Sequence, residues 1–532
     1  MTAKKIRTAI TPTREENFSD WYQAVIKGAE MAENSVVRGC MVIRPWGFGL
    51  WENMQKVLDK RIKATGHENA YFPLLIPKSF FQKEADHIEG FATECAVVTH
   101  TRLENQEGIL VPAGKLEEEY IIRPTSEMII GESFSRWVQS YRDLPLKINQ
   151  WVNVMRWEMR TRLFLRTSEF LWQEGHTAHE REQEAREETE IMLQEYKKFL
   201  ESYLAMPVLE GEKTPEERFP GGDNTYTVEV MMQDKKALQA GTSHYLGQNF
   251  SKSLDITFQT RDEKEEFAYT TSWGVSTRLI GGLIMTHADD DGLVLPPKIA
   301  PKHIVIMPFL SKKNSNPEAD KNTLEQCKKL KNSLEKLEFN KNSNNYNNHS
   351  DENYSEKSIE IEVTIDASEK GGKNWDWVRK GIPLRIALGE RDIEKGGFML
   401  SQRDKPANEK EFVSFDDIEK ISNILDEMQE NIFRKAQKFH NENITDVASI
   451  EELKLHFSEK NSENSTAGFV ICYADEEVNE EREKLLKELK ITARCIPYKY
   501  NRYANNGKGN EESKCIFSGK TTNTKIVYAR AY

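Results

Sequence analysis

Two arginine-bearing stretches in the first half of the chain carry residue types that bind phosphate and carboxylate groups. Val154–Glu158 and Phe164–Trp172 are rich in apolar and β-favouring residues, and a basic segment connects them, so the sequence predicts an antiparallel hairpin. Residues two apart on a strand share a face, which lets Arg156 of the first arm and Arg166 of the second meet on one sheet surface. Guanidinium groups there would suit two-pronged contacts with phosphate or carboxylate oxygens.

The remaining side chains of this hairpin extend the same chemistry. Glu158 lies two residues beyond Arg156 and could accept a hydrogen bond from an exocyclic amine, while Phe170 shares a face with Arg166 and could stack on a base. The set predicts an ATP site that has no phosphate-binding glycine loop. The alternative, two solvated cross-strand salt bridges on an ordinary hairpin, stays open on these spacings alone.

The composition limits the kind of protein that positions these residues. The chain has 532 residues, enough for roughly three or four domains, and its 38% hydrophobic and 30% charged residues fit a soluble globular protein. No apolar run approaches the ~20 residues of a membrane helix, and no apolar segment follows the basic N-terminus, so we expect a cytoplasmic protein with no membrane partner. Six scattered cysteines predict free thiols, and a net charge of −12 argues against non-specific nucleic-acid binding by the whole surface.

Polar residues at element ends could complete a site. Ile121–Glu127 reads as a short strand that passes through a turn into a helix, where Thr125 either caps the helix or, with Glu127, faces a cationic amine. The capping role is favoured without further context. The glycine-containing stretch Leu238–His244 would let a ligand approach the backbone closely, although His244 by itself is more often a satisfied core histidine.

The roles expected for Arg278 and Pro73 depend on the helices and strands around them. Arg278 precedes a nearly all-apolar helix, Leu279–His287, so we expect the helix to be buried and Arg278 to emerge into a cleft. Pro73 lies in an apolar strand, Ala70–Pro77, that follows an amphipathic helix over Leu50–Ala64, and proline inside a strand implies an edge or an interface. A dimer seam and ordinary packing both explain this pattern, and packing is favoured from this stretch alone.

The second half of the chain changes in pattern. From Ala300 onward strands and helices alternate, which predicts a small α/β domain with a mixed or parallel sheet. An asparagine-rich insert at 340–357 has almost no apolar residues and is expected to be a disordered loop. An amphipathic helix after the capping-box-like start at Ser414–Asp417 leads to a last domain over roughly 446–532.

A local excess of basic side chains marks one part of this half. Nine basic residues and five acidic ones lie between 370 and 405, in a chain that is acidic overall. Single-stranded bases are read by hydrogen bonds and stacking, so Glu390 and Arg391, just after a predicted strand, are candidates for base contacts, and Lys380 for a backbone contact. A mixed solvated surface is the alternative for each of them.

These motifs together resemble the three signature motifs of class II aminoacyl-tRNA synthetases, in the order in which that class carries them. The helix and strand ending at Pro73 resemble the first motif, the hairpin the second, and the helix start at Gly274–Arg278 the third. Four segments are similar to the prolyl-tRNA synthetase family, most closely its eukaryote/archaeal-like form: Arg123–Glu127, Phe164–Thr167, Trp172–His176 and Gly241–His244. The resemblance covers nearly the whole chain.

The resemblance implies a two-step ligation of L-proline to tRNA(Pro) through a prolyl-adenylate, with ATP and Mg²⁺, by a homodimer with Pro73 at its interface. Arg156 and Arg278 would carry catalysis. The implied ATP-binding residues are Arg156, Glu158, Arg166, Thr167, Phe170, Gln239, Thr242, Ser276 and Arg278. The implied proline-binding residues are Phe91, Glu94, Thr125, Glu127, Arg156, Trp172, Glu174, His176 and His244. The implied anticodon-binding residues are Lys380, Glu390 and Arg391.

The implied fold class is a multidomain α+β and α/β protein. It would have an antiparallel-sheet catalytic domain at 1–299, an α/β anticodon-binding domain at 300–410, and a linker helix with a small α+β C-terminal domain at 411–532. Only about a hundred residues separate the second motif from the third, too few for the editing domain that some relatives insert there, so no editing in cis is expected.

The C-terminal domain departs from the family pattern of four zinc-binding cysteines. Glu477 follows Cys472 and Ser518 follows Cys515 where further thiolates would be needed, so we expect structural zinc to be absent. Two other functions stay open: a class II synthetase for threonine, serine or glycine, and a non-catalytic RNA-binding paralogue. The paralogue would be expected to have lost arginines of the site, whereas all are present.

Overall fold

The computed structural model describes residues 8–83, 94–311, 315–340, 358–406, 408–458, 467–498 and 512–532. Of the asparagine-rich insert expected at 340–357, only Asn340 belongs to these residues. Within the described part of the chain, none of the helices combines the length and the apolar character that a membrane crossing requires.

The first part of the chain builds most of a large sheet and the helices that cover it. Its elements are α1 (Phe18–Gly28), β1 (Ala32–Asn34), β2 (Met41–Ile43), α2 (Pro45–Ala64), β3 (Glu68–Asn69), β4 (Leu75–Pro77), α3 (Lys78–Lys83), β5 (Ala96–Gln106), β6 (Ile109–Ile122), α4 (Glu127–Trp137), β7 (Leu146–Met155), β8 (Glu169–His179), α5 (Glu182–Ser202), β9 (Val208–Glu212), β10 (Asn224–Met231), β11 (Ala237–Gly247), α6 (Asn249–Leu254), β12 (Thr257–Gln259), β13 (Glu265–Phe267), β14 (Tyr269–Ser276) and α7 (Arg278–His287).

The second part forms the α/β domain, and the third part begins with a long helix. The second part contains β15 (Ile304–Pro308), α8 (Pro317–Leu334), β16 (Glu338–Phe339), β17 (Ile359–Glu360), β18 (Val363–Ile365), α9 (Lys373–Arg379), β19 (Leu384–Leu388), α10 (Glu390–Glu394), β20 (Gly397–Gln402) and β21 (Glu411–Ser414). The third part contains α11 (Lys420–Glu442), β22 (Ile444–Asp446), α12 (Ile450–Phe457), β23 (Phe469–Tyr473), α13 (Glu480–Leu489), β24 (Thr492–Pro497), β25 (Ser513–Lys514), β26 (Thr521–Thr522) and β27 (Lys525–Ala529).

Within the described residues, the central sheet has eleven strands in the order β22-β23-β27-β24-β9-β10-β11-β14-β8-β7-β3. Neighbouring strands are antiparallel except for the outermost pairs, β22 with β23 and β3 with β7. The acidic helix α5 packs on this sheet because Met192, Tyr196 and Phe199 recur at helical spacing and are fully buried in the main hydrophobic core. Of its glutamates, Glu182, Glu187 and Glu190 are exposed, whereas Glu188 and Glu195 are buried.

The predicted hairpin is confirmed. β7 and β8 pair antiparallel, with Val154 opposite Phe170 and Met155 opposite Glu169. The strands stop at these residues, so 156–168 form the connection, and the inner ends of both predicted arms belong to it rather than to the strands. Arg156 is still held at the strand end, because its backbone N–H donates to the carbonyl oxygen of Ser168 at 2.8 Å.

The strand predicted at Ala70–Pro77 is wrong over its first five residues, since only Leu75–Pro77 form a strand, β4. β3 ends at Asn69, so Pro73 lies between β3 and β4, outside any strand. Proline has no N–H to donate to a neighbouring strand and restricts the residue before it, which accounts for the gap. The helix predicted from Leu50 begins earlier, at Pro45, because proline at the first helical position is preorganised for a helix.

The α/β domain has the mixed sheet that was one of the two predicted forms. Its strand order is β18-β15-β19-β20-β21, with β18, β15 and β19 parallel and the last two antiparallel. α8 and α11 bury apolar residues against it.

The C-terminal strands extend the central sheet, which the sequence did not indicate. β24 pairs with β9 through Ile496 opposite Glu212 and Pro497 opposite Gly211. Gly211 permits this close approach, since a Cβ atom there would lie 2.4 Å from the backbone oxygen of Ile496. Farther along the sheet, the backbone N–H of Tyr532 donates to the carbonyl oxygen of Ala237, which begins β11.

Candidate active site

Two adjoining cavities open on the central sheet where β8, β11 and β14 lie side by side. The larger, of about 250 Å³, and the smaller, of about 120 Å³, share four lining residues: Arg156, Phe170, Ser276 and Arg278. The strands set this arrangement because alternate residues of β8 point to one face, and Trp172 and Glu174 of that face lie opposite Ser276 and Gly274 of β14.

The larger cavity ends in a cluster of carboxylates and a histidine. The Thr125 hydroxyl donates to Glu127 instead of capping α4, whose N-cap Ser126 also makes no capping bond. Ser126 donates instead to Glu174 at 2.5 Å, and His176 Nε2 lies 3.0 Å from the other oxygen of Glu174. Burial alone would lower the pKa of His176, but the hydrogen bond to Glu174 and the charge of Glu127 raise it.

A second histidine on the wall of this cavity has the opposite character. Burial, with the positive charges of His176 and Lys213, lowers the pKa of His244 to about 3, so its imidazole is neutral. Its Nδ1 lies 3.0 Å from the Thr225 hydroxyl, and the ring of Phe219 packs on it at an angle of 33°, with 4.6 Å between the ring centroids. The cavity thus pairs a charged end with an aromatic, uncharged wall.

Arg156 lies where the two cavities meet. Its Nε donates to the carbonyl oxygen of Pro124 at 2.9 Å, and its guanidinium carbon is 5.8 Å from the ring centroids of both Phe170 and Trp172. Burial lowers the pKa of Arg156, against the opposing effect of nearby carboxylates, of which Glu127 is the strongest. Arg156 can therefore contact ligands in both cavities from one fixed position.

The smaller cavity concentrates positive charge. Arg278, the first residue of α7, donates from Nε to the carbonyl oxygen of Leu165 at 3.2 Å. Burial and the neighbouring guanidiniums of Arg166 and Arg156 lower the pKa of Arg278 to about 10. Arg166 pairs with Glu158 at 2.9 Å, but among the described residues no carboxylate pairs with Arg278. This end of the site is built to receive an anion.

The structure brings together almost all the site residues predicted from the sequence. The larger cavity is lined by Thr125, Glu127, Arg156, Phe170, Trp172, Glu174, His176, Gln239, Thr242, His244, Ser276 and Arg278. The smaller is lined by Glu94, Arg156, Glu158, Arg166, Thr167, Phe170, Ser276 and Arg278. Glu94 therefore lies with the residues predicted to bind ATP, and Phe91 lies outside the described residues.

Sequence reasoning missed the loop that walls the larger cavity opposite Glu174. Glu217, Arg218 and Phe219 line it, and the loop is held because Arg218 pairs with Glu212 at 3.2 Å while Phe219 packs on His244. Mixed charge and glycine in this stretch indicate only a turn, so no local signal assigns it to a site.

A buried ion triad lies beneath the same loop and was also missed. Glu229 of β10 accepts from Lys213, which follows β9, at 2.8 Å, and from Arg494 of β24, also at 2.8 Å. Burial raises the pKa of Glu229, but the two cations more than offset this and lower it. Arg494 is too distant in sequence from its partner for any spacing rule to connect them.

The anticodon candidates lie in different settings. Glu390 and Arg391 begin α10, directly after β19, and both are exposed. Lys380 instead lies where the α/β domain meets the first part of the chain: its Nζ is 2.7 Å from Glu30, and its carbonyl oxygen accepts from the Trp46 indole at 3.0 Å.

The C-terminal thiols are enclosed by hydrogen bonds and a cation. Cys515 Sγ accepts from the backbone N–H groups of Asp475 and Ser518, at 3.3 and 3.4 Å. The buried guanidinium of Arg482 donates to the carbonyl oxygens of Asp475 and Glu477 and lies 4.7 Å from the Phe517 ring centroid. This donor set does not fit a closed tetrahedral zinc site, which needs four ligands.

Comparison with known proteins assigns the fold and the site to a class. A family model described as tRNA synthetase class II core domain (G, H, P, S and T) matches residues 112–287, and one described as anticodon binding domain matches residues 303–425. With the antiparallel sheet and the arginine-lined cavities, these matches define a class II aminoacyl-tRNA synthetase.

Full-length relatives narrow the class to a family. The chain is 50% identical to the proline–tRNA ligase of Protochlamydia amoebophila over 100% of both chains. It is 51% identical to the proline–tRNA ligase of Rhodopirellula baltica over 100% of this chain and 99% of the relative, and 50% identical to that of Bdellovibrio bacteriovorus over 99% of each. The chain belongs to the proline–tRNA ligase family.

Proposed function

We propose that this chain ligates L-proline to tRNA(Pro) in two steps, consuming ATP as its magnesium complex and releasing AMP and diphosphate. The observation that carries the proposal is the pair of adjoining cavities with Arg156 at their junction. One cavity offers carboxylates and a neutral aromatic wall, and the other offers guanidiniums. Such a site suits a small zwitterionic amino acid, with its ammonium group at the carboxylates and its carboxylate placed against a nucleotide phosphate.

In the proposed first step a carboxylate oxygen of proline attacks the α-phosphorus of ATP, and diphosphate leaves. Arg156 would bind both the proline carboxylate and the α-phosphate, because it faces both cavities. Arg166 and Arg278 would bind the outer phosphates, which requires Arg166 to loosen its pair with Glu158. The chain's contribution is orientation and preorganised positive charge.

The nucleoside part of ATP would lie on the hairpin. Glu158 would accept from the adenine amine and Phe170 would stack on the ring. Thr167 would support the loop, since its hydroxyl donates to the carbonyl oxygen of Glu169 at 2.7 Å. Gln239, Thr242 and Ser276 would complete the nucleotide site from β11 and β14. Mg²⁺ needs few protein ligands when phosphates supply the rest, so it enters with ATP as part of the substrate.

The proline ring would occupy the larger cavity. Its secondary ammonium needs a counter-charge when it leaves water, and Glu127, oriented by Thr125, would supply it. Trp172 and the neutral His244 would contact the apolar ring. Glu174 and His176 would fix the floor of this pocket, with Glu94 and Phe91 as further proposed members of the proline set.

In the second step a hydroxyl of the terminal ribose of tRNA would attack the carbonyl carbon of the adenylate, and AMP would leave. We assign catalysis to 1–299, anticodon binding to 300–410 and the linker helix and C-terminal domain to 411–532. Glu390 and Arg391 are the proposed base contacts, supported by their exposure at the start of α10. Lys380 remains a proposed contact to the tRNA backbone, although its pairing with Glu30 gives it a structural role as well.

Further parts of the proposal concern assembly and modules. We propose a cytoplasmic homodimer with Pro73 at or near its interface, no editing in cis, and no structural zinc.

The exposed Tyr71 and Leu75 beside Pro73 support a dimer interface at this position. Sedimentation equilibrium of wild type and of Leu75→Glu would test it, since a buried glutamate should shift the protein towards monomers.

Amino-acid-dependent exchange of diphosphate with ATP tests the reaction. Proline should support exchange strongly, alanine or cysteine weakly, and threonine or serine hardly at all, because the pocket has an apolar wall and one counter-charge for the ammonium. Equal exchange with threonine would contradict the prolyl assignment. Charging of tRNA(Pro) by the same preparation separates a full ligase from a protein that only forms the adenylate.

A further inference from the structure

A third cavity, of about 610 Å³, lies apart from the two cavities of the candidate active site. It is bounded by the C-terminal end of α7, by β19 and β20 of the α/β domain, and by the second half of α11. Its volume falls in the range of sites that enclose a small molecule. The residues that matter for its chemistry are a buried arginine, Arg385, and the exposed Lys435.

Arg385 is a buried cation for which the described residues provide no counter-charge. The residue is 2% exposed, its Nε donates to the Asn374 side chain at 3.3 Å, and its Nη1 is buried with no hydrogen-bond partner. Burial and the positive charge of Arg403 lower the pKa of Arg385 to about 10, so it remains protonated near neutral pH. Among the described residues it forms no ion pair. A buried charge left in this state is costly unless an anion pairs with it.

The other charges on the wall are largely engaged elsewhere. Arg403 and Asp289 pair across the interface between the two domains, with 2.8 Å from Nη1 to Oδ2, so they cancel and also hold the wall in place. Asp291 accepts from the backbone N–H of Ala9 at 3.1 Å. The remaining charged lining residues are Asp404, Lys435 and Lys405, and Lys405 lies 4.0 Å from Glu409 outside the cavity. Among the described residues none of these groups forms an ion pair with Arg385.

Apolar side chains cover another part of the wall. Val294, Val378, Ile432 and Phe439 line the cavity along α11 and the domain junction. A bare inorganic ion would leave this surface in contact with water. An occupant with an apolar body would cover it and gain the corresponding hydrophobic free energy.

We propose that this interdomain cavity binds a small organic anion, a carboxylate or phosphate monoester with an apolar body, whose head group pairs with Arg385. Lys435 supplies a second positive charge at the rim. Two of the elements that would contact the occupant also carry residues of the proposed functional sites. α7 begins at Arg278 of the proposed active site, and Glu390 and Arg391, the proposed anticodon contacts, follow β19 after one residue.

Calorimetric titration with three probes tests the two parts of this proposal, the anionic head group and the apolar body. Phenyl phosphate has both an anionic head group and an apolar ring. Orthophosphate has only the anionic group, and benzyl alcohol has the apolar ring without the anionic group. The titrations are made with saturating magnesium ATP, which occupies the active-site arginines. Phenyl phosphate should bind one-to-one and at least about tenfold more tightly than either partial probe, which is about 1.4 kcal/mol. Equal binding of benzyl alcohol, or loss of phenyl phosphate binding when ATP is present, would overturn the proposal.

Variants locate the binding. Arg385→Met should weaken phenyl phosphate binding by about tenfold or more, the loss expected for a charged hydrogen bond. Should that variant fail to fold, Lys435→Met and the cavity-filling Ala436→Leu test the same wall from α11. The matched control is Lys438→Met, an exposed lysine of the same helix that does not line the cavity. Unchanged binding in both Lys435→Met and Ala436→Leu, or equal weakening in the control, would place the probe elsewhere.

Discussion

Arg278 and Arg494 are guanidiniums near the same part of the central sheet, yet their surroundings differ. Arg278 opens into the smaller cavity beside two other arginines, and its pKa is lowered to about 10 by burial and by those cations. Arg494 is also buried, but its pKa is raised because Glu229 more than offsets the effect of burial. The pKa of the same group therefore moves in opposite directions according to whether the protein itself supplies the counter-ion.

The contrast separates cations that stabilise the fold from cations that are kept for a ligand. Arg494 belongs to a closed set with Lys213 and Glu229, in which each charge has a partner. Arg278 donates to the carbonyl oxygen of Leu165, but no carboxylate of the described residues forms an ion pair with it. Arg385 resembles Arg278 in this respect, because the described residues provide a carboxylate partner for neither. The proposed active site and the interdomain cavity therefore share one physical feature, a buried guanidinium available to an anionic ligand.

The largest expected effect is the loss of catalysis when a guanidinium that lines both cavities is removed. Arg278→Ala and Arg156→Ala should each cost about 3–4 kcal/mol of transition-state stabilisation, roughly a 10²–10³-fold lower rate of proline-dependent exchange. Arg278→Ala should lower the melting temperature little, because it breaks no ion pair among the described residues. Binding of tRNA should be nearly intact by filter binding. Exchange near the wild-type rate would mean that ATP binds elsewhere.

Arg494→Met should show the reverse pattern. Breaking a buried ion pair typically costs 3–5 kcal/mol, and we expect about 3 kcal/mol because Lys213 still pairs with Glu229. Urea unfolding measures this loss, and Arg494→Lys should recover part of it. The exchange rate per folded molecule should stay within a few-fold of wild type. A large loss of exchange with unchanged stability would erase the distinction between the two arginines.

The two cavity histidines sharpen the comparison through pH. Folding raises the pKa of His176, so its contribution to stability is full below the usual value of about 6.5 and is lost as pH rises through the folded-state pKa. Folding lowers the pKa of His244 to about 3, so its contribution is present above about pH 6.5 and is lost as pH falls towards 3. His176→Gln should flatten the alkaline side of a plot of melting temperature against pH, and His244→Gln the acidic side. Identical profiles for the two variants would contradict these assignments.

The smallest expected effect is that of a chelator. A strong chelator should leave the melting temperature unchanged, and mass spectrometry of protein purified without chelator should find no stoichiometric zinc. Arg482→Met should lower the melting temperature, because Arg482 joins the turn at Asp475 to Tyr528 of β27. Stoichiometric zinc, or a chelator-induced loss of several degrees, would show that Cys472 and Cys515 hold a metal after all.

The sequence was informative wherever chemistry follows from local pattern. The hairpin, the helix beginning near Arg278 and the mixed α/β sheet were all predicted from spacing and apolar periodicity, and the structure confirms them. The site residues came mostly from the resemblance, because single residues such as Gln239 or Ser276 have no distinctive spacing of their own. Their roles stay predictions, although the structure places them around common cavities.

What the sequence could not show depends on contacts between distant segments. Nothing in the residues around Arg494 points to Glu229, and nothing near Phe219 points to His244. The interruption at Pro73 has a local cause, since proline disfavours a continuous strand. The proline alone does not determine whether the residues after it form a strand. Pairing energy and tertiary packing decide these features, and a one-dimensional pattern contains neither.

The pairing of β9 with β24 has a consequence for the way the protein is synthesised. β9 leaves the ribosome early, whereas its partner around Pro497 is translated much later. At ordinary translation rates the edge of β9 stays unpaired for roughly tens of seconds, exposing N–H and C=O groups that can pair with other chains. We therefore expect the nascent chain to need protection by a chaperone in this interval, and truncations before β24 to aggregate rather than to fold as a catalytic fragment.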